Sequence, residues 1–149
     1  MKRKSLLPPT YLLGAMALMA GLHFAWPVAK LVPSPWRYLG LVPLALGVLL
    51  NLWCDRLFHH ARTTVDPFEQ PSSLITGGPF RISRHPMYLG MVTLLAGLGV
   101  LLGTLSAFLV VPVFALAMDR VFIRTEEQAM EKTFGEEYRE YRKRVRRWI

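Results

Sequence analysis

Apolar side chains form three long runs in this chain that contain no Lys, Arg, Asp or Glu. The runs cover residues 5–29, 38–54 and 85–118. About 20 helical residues cross a hydrocarbon core of roughly 30 Å, so the first two runs predict one membrane-spanning helix each, Tyr11 to Ala29 and Tyr38 to Asp55. The second run is slightly short, and Arg56 can complete it by extending its long side chain towards the headgroups.

The third run is too long for one crossing and too short for two full ones. Its centre, LLGTLSAF at residues 101–108, carries Gly, Thr and Ser where a tight turn would fall. We predict a hairpin of two short helices there, Met87 to Leu102 and Leu105 to Ile123. The fold class is therefore all-α: a polytopic membrane protein with about four transmembrane helices in a single domain, residues 1–149.

The pattern changes after Glu126, where a charged segment carries apolar residues three and four positions apart. This spacing predicts one apolar stripe on an amphipathic C-terminal helix, with Gly135 as a possible division between two pieces. Periodicity alone favours a helix lying on the lipid headgroups. The stripe comprises Met130, Phe134, Tyr138, Tyr141, Val145 and Trp148.

The basic residues indicate how the chain is oriented. Lys2, Arg3 and Lys4 precede the first span, and further Lys and Arg residues occupy the long loop and the tail, whereas the hairpin turn has none. The positive-inside rule then places both termini and the loop on the cytoplasmic side. The predicted divisions are two spans in 1–58, a cytoplasmic loop in 59–87, and the hairpin with a C-terminal cofactor-binding segment in 88–149.

Composition narrows the possible partners. The chain is 52% hydrophobic with a net charge of +8, which fits anionic membrane lipids on the cytoplasmic face. No soluble module with interleaved aromatic residues is present, so nucleic acid is not expected as a partner. Cys54 is the one cysteine, and Asp55 with His59 supplies too few ligands for a metal ion, so we predict no metal site.

Polar side chains gather at the ends of the two hairpin helices. If the hairpin is tight, these ends are neighbours and form one pocket with cations, carboxylates, an imidazole and a phenol at headgroup depth. A ring of mutually paired surface charges is the simpler alternative. The residues concerned are Arg84, His85 and Tyr88 before the turn, and Arg120, Arg124, Glu126 and Glu127 after it.

Two motifs support the pocket. GPFRISRHPMYLG at 78–90, and RTEEQAMEKTFGEEYREYRKRV at 124–145 one hairpin later, closely resemble the C-terminal half of the isoprenylcysteine carboxyl methyltransferase family, which is related to membrane phospholipid methyltransferases. The resemblance extends over about 70 residues, and the N-terminal half matches no motif of the family. It implies an integral-membrane methyltransferase that uses S-adenosylmethionine, with a lipophilic small molecule or lipid as methyl acceptor.

The resemblance also implies roles for the matched positions. Arg84, Arg124 and Glu127 are the predicted catalytic residues. The family does not fix the spacing of the arginine before the Glu-Glu pair, so the choice between Arg124 and Arg120 stays open. A ribose hydroxyl or the ammonium group of the cofactor would bind Glu127, and a cofactor carboxylate or the acceptor would bind the arginines. The predicted cofactor-binding residues are His85, Tyr88, Leu89, Gly90, Glu126, Glu127 and Tyr138.

The acceptor stays open at this stage. A carboxylate or thiolate needs no general base for methyl transfer, whereas a lipid amine needs one, with His85 or a glutamate as candidate. Two other functions also remain open: an NADPH-dependent membrane reductase of steroid-reductase-like architecture, and a non-enzymatic lipid-binding protein.

Overall fold

The described part of the chain is helical. In the computed structural model it comprises residues 7–64 and 69–149, so Lys2, Arg3, Lys4 and part of the predicted loop lie outside it. Within these ranges there are isolated β-bridges but no strand, which confirms the all-α prediction. The helices are α1 (Pro8–Ala25), α2 (Leu41–His60), α3 (Pro86–Leu102), α4 (Leu105–Met118), α5 (Arg124–Phe134) and α6 (Glu136–Arg144).

Among the described residues, two continuous helical segments are long and apolar enough to cross a membrane. They are Trp36–His60, which joins a short 3₁₀ turn to α2, and Leu105–Phe134, which joins α4 and α5 through a π turn at Asp119–Ile123. The apolar helix Pro86–Leu102 is shorter. The count of four spans and the cytoplasmic placement of both termini stay predictions.

The first two helices differ from the predicted spans at their ends. Helix α1 ends at Ala25 rather than Ala29, because the residue before Pro27 is disfavoured in the helical region, and Trp26 has left it with φ −145° and ψ 69°. Helix α2 continues past Asp55 to His60. The last turn of α2 therefore carries His59 and His60.

The hairpin has the predicted inner ends, Leu102 and Leu105. Gly103 closes α3 with φ +70°, a left-handed conformation that glycine adopts without a steric penalty. The loop between α1 and α2 packs on this turn, since the backbone N–H of Leu31 donates to the Gly103 carbonyl oxygen at 2.8 Å and that of Leu105 donates to the Ala29 carbonyl oxygen at 3.0 Å. The loop thus covers the hairpin turn.

Close helix contacts set the position of α3. Helix α3 packs on α2 and α4, and α1 packs on α4. Gly47 and Gly90 allow the α2 and α3 backbones to approach: a β-carbon at Gly47 would lie 2.6 Å from the Leu94 backbone nitrogen. Small residues at a helix interface serve this purpose in membrane bundles.

This contact predicts a stability difference between two glycines. Gly47→Ala should lower the free energy of unfolding by about 1–3 kcal/mol, because the methyl group overpacks the α2–α3 contact. Gly14→Ala should leave it unchanged or raise it slightly, since a β-carbon there meets no atom within 4 Å. Unfolding both variants in mixed detergent micelles, followed by circular dichroism, measures the difference. Equal stability of the two variants would contradict the close approach.

The C-terminal stripe packs on protein, which corrects the expectation of a helix lying on headgroups. Gly135, with φ +52°, divides the segment into α5 and α6. Tyr138, Tyr141 and Val145 are buried with Phe80 and Cys54 in one apolar cluster. The Tyr141 hydroxyl donates to the Phe80 carbonyl oxygen at 2.6 Å. The amphipathic period is right, but its apolar face covers the loop and the start of α3.

Candidate functional site

The start of α3 forms one side of the site. Pro86 occupies the first turn of α3, where its missing N–H costs nothing, and His85 before it has non-helical φ −129° and ψ 58°. The tail fixes this segment: the Arg84 backbone N–H donates to the Arg146 carbonyl oxygen at 3.0 Å, and the Ser83 hydroxyl donates to the Arg147 carbonyl oxygen at 3.1 Å. Residues 83–85 are thereby held against the C-terminus.

Glu127 lies at the centre of a buried ion network. Its Oε1 is 3.1 Å from Arg84 Nη1 and 3.3 Å from His85 Nε2. Its Oε2 accepts a hydrogen bond of 2.6 Å from Arg147 Nη2. The Glu127 and Arg84 side chains are 9% and 8% exposed, so these charges are compensated by each other rather than by water.

His85 joins this network to Glu126. Its Nδ1 is 3.3 Å from Glu126 Oε2, and the Tyr88 hydroxyl donates to Glu126 Oε1. Burial lowers the pKa of the His85 imidazole, but the hydrogen bonds to Glu126 and Glu127 outweigh burial, so the pKa lies above its usual value. With a carboxylate at each ring nitrogen, the geometry suits an imidazolium that donates on both sides.

A cavity of about 250 Å³ opens beside this network. Its polar wall contains Arg84, His85, Tyr88, Glu126 and Tyr138. The rest of the wall is mostly apolar and comes from α1, the end of α2, the loop, α3, α5 and α6. It includes Pro8, Phe58, Leu74, Ile75, Phe80, Met87, Met91 and Met130.

Four predicted site residues lie off the cavity wall. Glu127 is behind His85 and Arg84, Leu89 follows on α3, and Gly90 faces the Asn51 side chain of α2. Arg124 is 58% exposed and pairs with Asp119, with Nε 3.4 Å from Oδ2. The structure brings together Arg84, His85, Tyr88, Glu126, Glu127 and Tyr138, and their individual roles stay predictions.

Arg147 and Asp119 belong to the network but were not predicted. Arg147 contacts Glu127 and also Asp119, with Nη1 3.0 Å from Asp119 Oδ1. In the sequence, Arg147 is one of several tail cations and Asp119 ends an apolar run, so no local signal distinguishes either residue. The loop residues on the cavity wall were also missed, because the loop has no period that predicts where it folds.

The described residues contain no group of three or more His, Cys, Asp or Glu side chains able to hold a metal ion. The pair on α2, His59 and Asp55, lies at the surface with Nε2 3.4 Å from Oδ2. It supplies two ligands at most.

The polar wall fits a zwitterionic ligand such as S-adenosylmethionine. Arg84 Nε is buried and has no hydrogen-bond partner among the described residues, so it can donate to a carboxylate. Two carboxylates line the cavity, Glu126 beside His85 and Glu69 on the loop, where Glu69 accepts from the Thr64 hydroxyl. Glu126 can accept from an ammonium or from hydroxyl groups. Arg84, His85 and Glu126 therefore place opposite charges on one wall of a mostly apolar cavity.

The structure defines a class of protein: a helical protein with long apolar helices and a charged pocket at their ends. The family model described as phospholipid methyltransferase matches residues 36–137. That range includes α2, the hairpin and the cluster from Arg84 to Glu127. The chain belongs to this family.

Curated relatives also include methyltransferases of this kind. A probable protein-S-isoprenylcysteine O-methyltransferase of Oryza sativa subsp. indica is 33% identical over 116 residues, 72% of this chain and 58% of that protein. The cobalt-zinc-cadmium resistance protein CzcN of Cupriavidus metallidurans is 29% identical over 107 residues, 72% of this chain and 45% of that protein. The chain thus spans about half the length of these two relatives.

A third relative is shorter. An uncharacterized protein of Haemophilus influenzae is 40% identical over 63 residues, 42% of this chain and 100% of that protein. The family model and the rice relative confirm the resemblance to isoprenylcysteine methyltransferases found in the sequence motifs, and with the apolar helices they indicate a membrane protein.

Proposed function

We propose that this chain is an integral-membrane, multi-pass methyltransferase that transfers a methyl group from S-adenosylmethionine to a lipophilic acceptor, with both termini in the cytoplasm. The observation that carries the proposal is a cavity that joins the charged cluster to a mostly apolar wall. A polar methyl donor and a lipophilic acceptor would need such a combination of walls. Family membership supports the reaction type.

At the charged end, Arg84 would bind the carboxylate of the cofactor and Glu126 its ammonium or ribose hydroxyls. This arrangement assigns Glu126, on the cavity wall, the direct contact that the motif alone gave mainly to Glu127. Glu127 then acts from behind by compensating Arg84 and His85. Tyr138 adds a hydroxyl 3.4 Å from Arg84 Nη1, which limits the rotation of the guanidinium.

The bound cofactor supplies an electrophilic methyl group, and the protein mainly has to align the acceptor with it. An acceptor that is already a carboxylate or thiolate needs no proton removed. A lipid amine needs a general base. His85 and Glu126, which both line the cavity, are the candidates for that base. The apolar wall, with Phe58, Ile75 and Met87, would hold the lipophilic part of the acceptor.

We also propose that anionic lipids contact the exposed cations near this end of the molecule. Arg56 and Arg144 are exposed in the structure. Each such cation close to an anionic surface contributes about 1 kcal/mol to membrane attraction.

Calorimetric titration of S-adenosylhomocysteine into detergent-purified protein tests the function. We expect micromolar binding to the wild type and about tenfold weaker binding to Glu126→Gln, since one charge-assisted hydrogen bond to the ligand is lost. Glu136→Gln is the matched control, because Glu136 is exposed and pairs with Arg139 on α6. A folded wild type that does not bind the ligand would contradict the proposal.

A further inference from the structure

The tail cation Arg147 makes more contacts with the site than its position in the sequence suggests. Its Nε lies 3.2 Å from Glu127 Oε1 and its Nη2 lies 2.6 Å from Glu127 Oε2, a two-pronged contact. Its Nη1 lies 3.0 Å from Asp119 Oδ1. A guanidinium in this geometry fixes the plane of the carboxylate that it binds, which a single ammonium contact does not.

The π turn explains how one arginine contacts both acidic residues. In a regular α-helix, side chains eight residues apart diverge by about 80°, because each residue turns the helix by about 100°. Residues Asp119–Ile123 form a π turn between Asp119 and Glu127, and its wider i→i+5 bonding turns the chain less per residue. The smaller rotation brings the two carboxylates to one side, where Arg147 contacts both.

The backbone of the tail reinforces this contact. The Arg147 carbonyl oxygen accepts from the Ser83 hydroxyl, and the Ser83 hydroxyl oxygen accepts from the His85 backbone N–H at 3.1 Å. Arg147 therefore contacts the start of α3 through its main chain and α5 through its side chain. The two halves of the polar cluster meet at this residue.

Arg147 is the cation that links the carboxylates of the cluster. Glu127 has Arg84, His85 and Arg147 as its partners, and Asp119 is shared between Arg147 and the exposed Arg124. Without Arg147, Glu127 would lose the partner on the side away from the cavity. Its carboxylate could then rotate, and Arg84 and His85 would lose their fixed acceptor.

We propose that Arg147 is a positioning residue of the cofactor site: it holds the Glu127 carboxylate in the plane in which Glu127 orients Arg84 and His85 on the cavity wall. The proposal rests on the proposed function for its effect on cofactor binding. Its geometric part concerns the ligand-free protein and can be tested without any ligand.

The first test measures S-adenosylhomocysteine binding to Arg147→Gln, Arg147→Lys and Arg146→Gln. We expect the affinity to fall about tenfold or more in Arg147→Gln. The loss should be intermediate in Arg147→Lys, because lysine keeps the charge but cannot make the two-pronged contact of a guanidinium. Arg146→Gln removes the same charge from the exposed neighbouring residue and should change the affinity by less than about twofold. Equal losses in Arg147→Gln and Arg146→Gln would overturn the proposal.

The second test is an NMR titration of the His85 imidazole in ligand-free protein. The groups that face this ring are Glu126, Glu127, Arg84 and Tyr88. The imidazolium should persist above the usual imidazole pKa of about 6.5 in the wild type and lose its proton as the pH rises through the raised value. In Arg147→Gln we expect the His85 pKa to fall towards the usual value, because the Glu127 carboxylate is no longer held where it accepts from His85 Nε2.

A further rise of the His85 pKa in Arg147→Gln, the result of removing a nearby cation alone, or no change, would overturn the proposal, since His85 would then keep its Glu127 acceptor without Arg147. The two tests separate two failures. A wild type that does not bind S-adenosylhomocysteine contradicts the proposed function, whereas the direction of the His85 shift decides the role of Arg147 in either case.

Discussion

Glu127→Gln is expected to lower the free energy of unfolding by about 3–5 kcal/mol, the usual cost of removing one partner from a buried ion pair. The amide is nearly the same size as the carboxylate, so the loss reflects charge rather than volume. Arg84, with 8% of its side chain exposed, would keep its buried charge without the nearest counter-charge. His85 would lose the carboxylate at Nε2.

Unfolding in mixed detergent micelles, followed by circular dichroism, measures this loss. Glu131→Gln is the matched control on the same helix, because the Glu131 carboxylate is 41% exposed and pairs with Arg139 and Arg142 at the surface. Its replacement should have little measurable effect on stability. A loss below about 1 kcal/mol in Glu127→Gln would indicate that water already compensates the cluster.

Sequence patterns are sufficient where the physical signal is local. The Gly-Thr-Ser break in the third apolar run places the hairpin turn at Gly103. The apolar stripe of the C-terminal segment indicates the helical period, and the glycine at 135 indicates where that segment divides. Because a tight hairpin brings its two ends close, the polar residues at those ends are expected to be neighbours. The juxtaposition of Arg84, His85 and Glu127 therefore follows from the position of the turn.

Patterns fail where the outcome depends on long-range packing. A stripe that contains Tyr138 and Tyr141 could pack on lipid headgroups or on protein. Only the fold shows that the loop around Phe80 covers it. Adjacent Glu126 and Glu127 lie about 100° apart on a helix, but the sequence does not tell which one faces the cavity. The register of the π turn, and with it the contact between Asp119 and Arg147, has no sequence signal that we recognise.

Arg84→Lys is expected to weaken S-adenosylhomocysteine binding by about tenfold and Arg84→Gln by about 100-fold, because a planar guanidinium can bind a carboxylate through two parallel hydrogen bonds. The structural basis is that the nitrogens of the Arg84 guanidinium differ in their partners. Arg84 Nη1 is used by Glu127 and by the Tyr138 hydroxyl. Arg84 Nε is buried without a partner in the described part of the chain.

A second ligand separates recognition of the carboxylate from general damage to the cavity. Methylthioadenosine has the nucleoside and thioether of the cofactor but lacks its amino-acid group, so Arg84→Lys should leave its affinity unchanged within about twofold. Arg81→Lys, on the exposed neighbouring arginine, is the control for both ligands. If Arg84→Lys weakens both ligands equally, the guanidinium shapes the cavity rather than binding the carboxylate. If it weakens S-adenosylhomocysteine alone, the unpartnered Nε identifies where the amino-acid end of the cofactor binds.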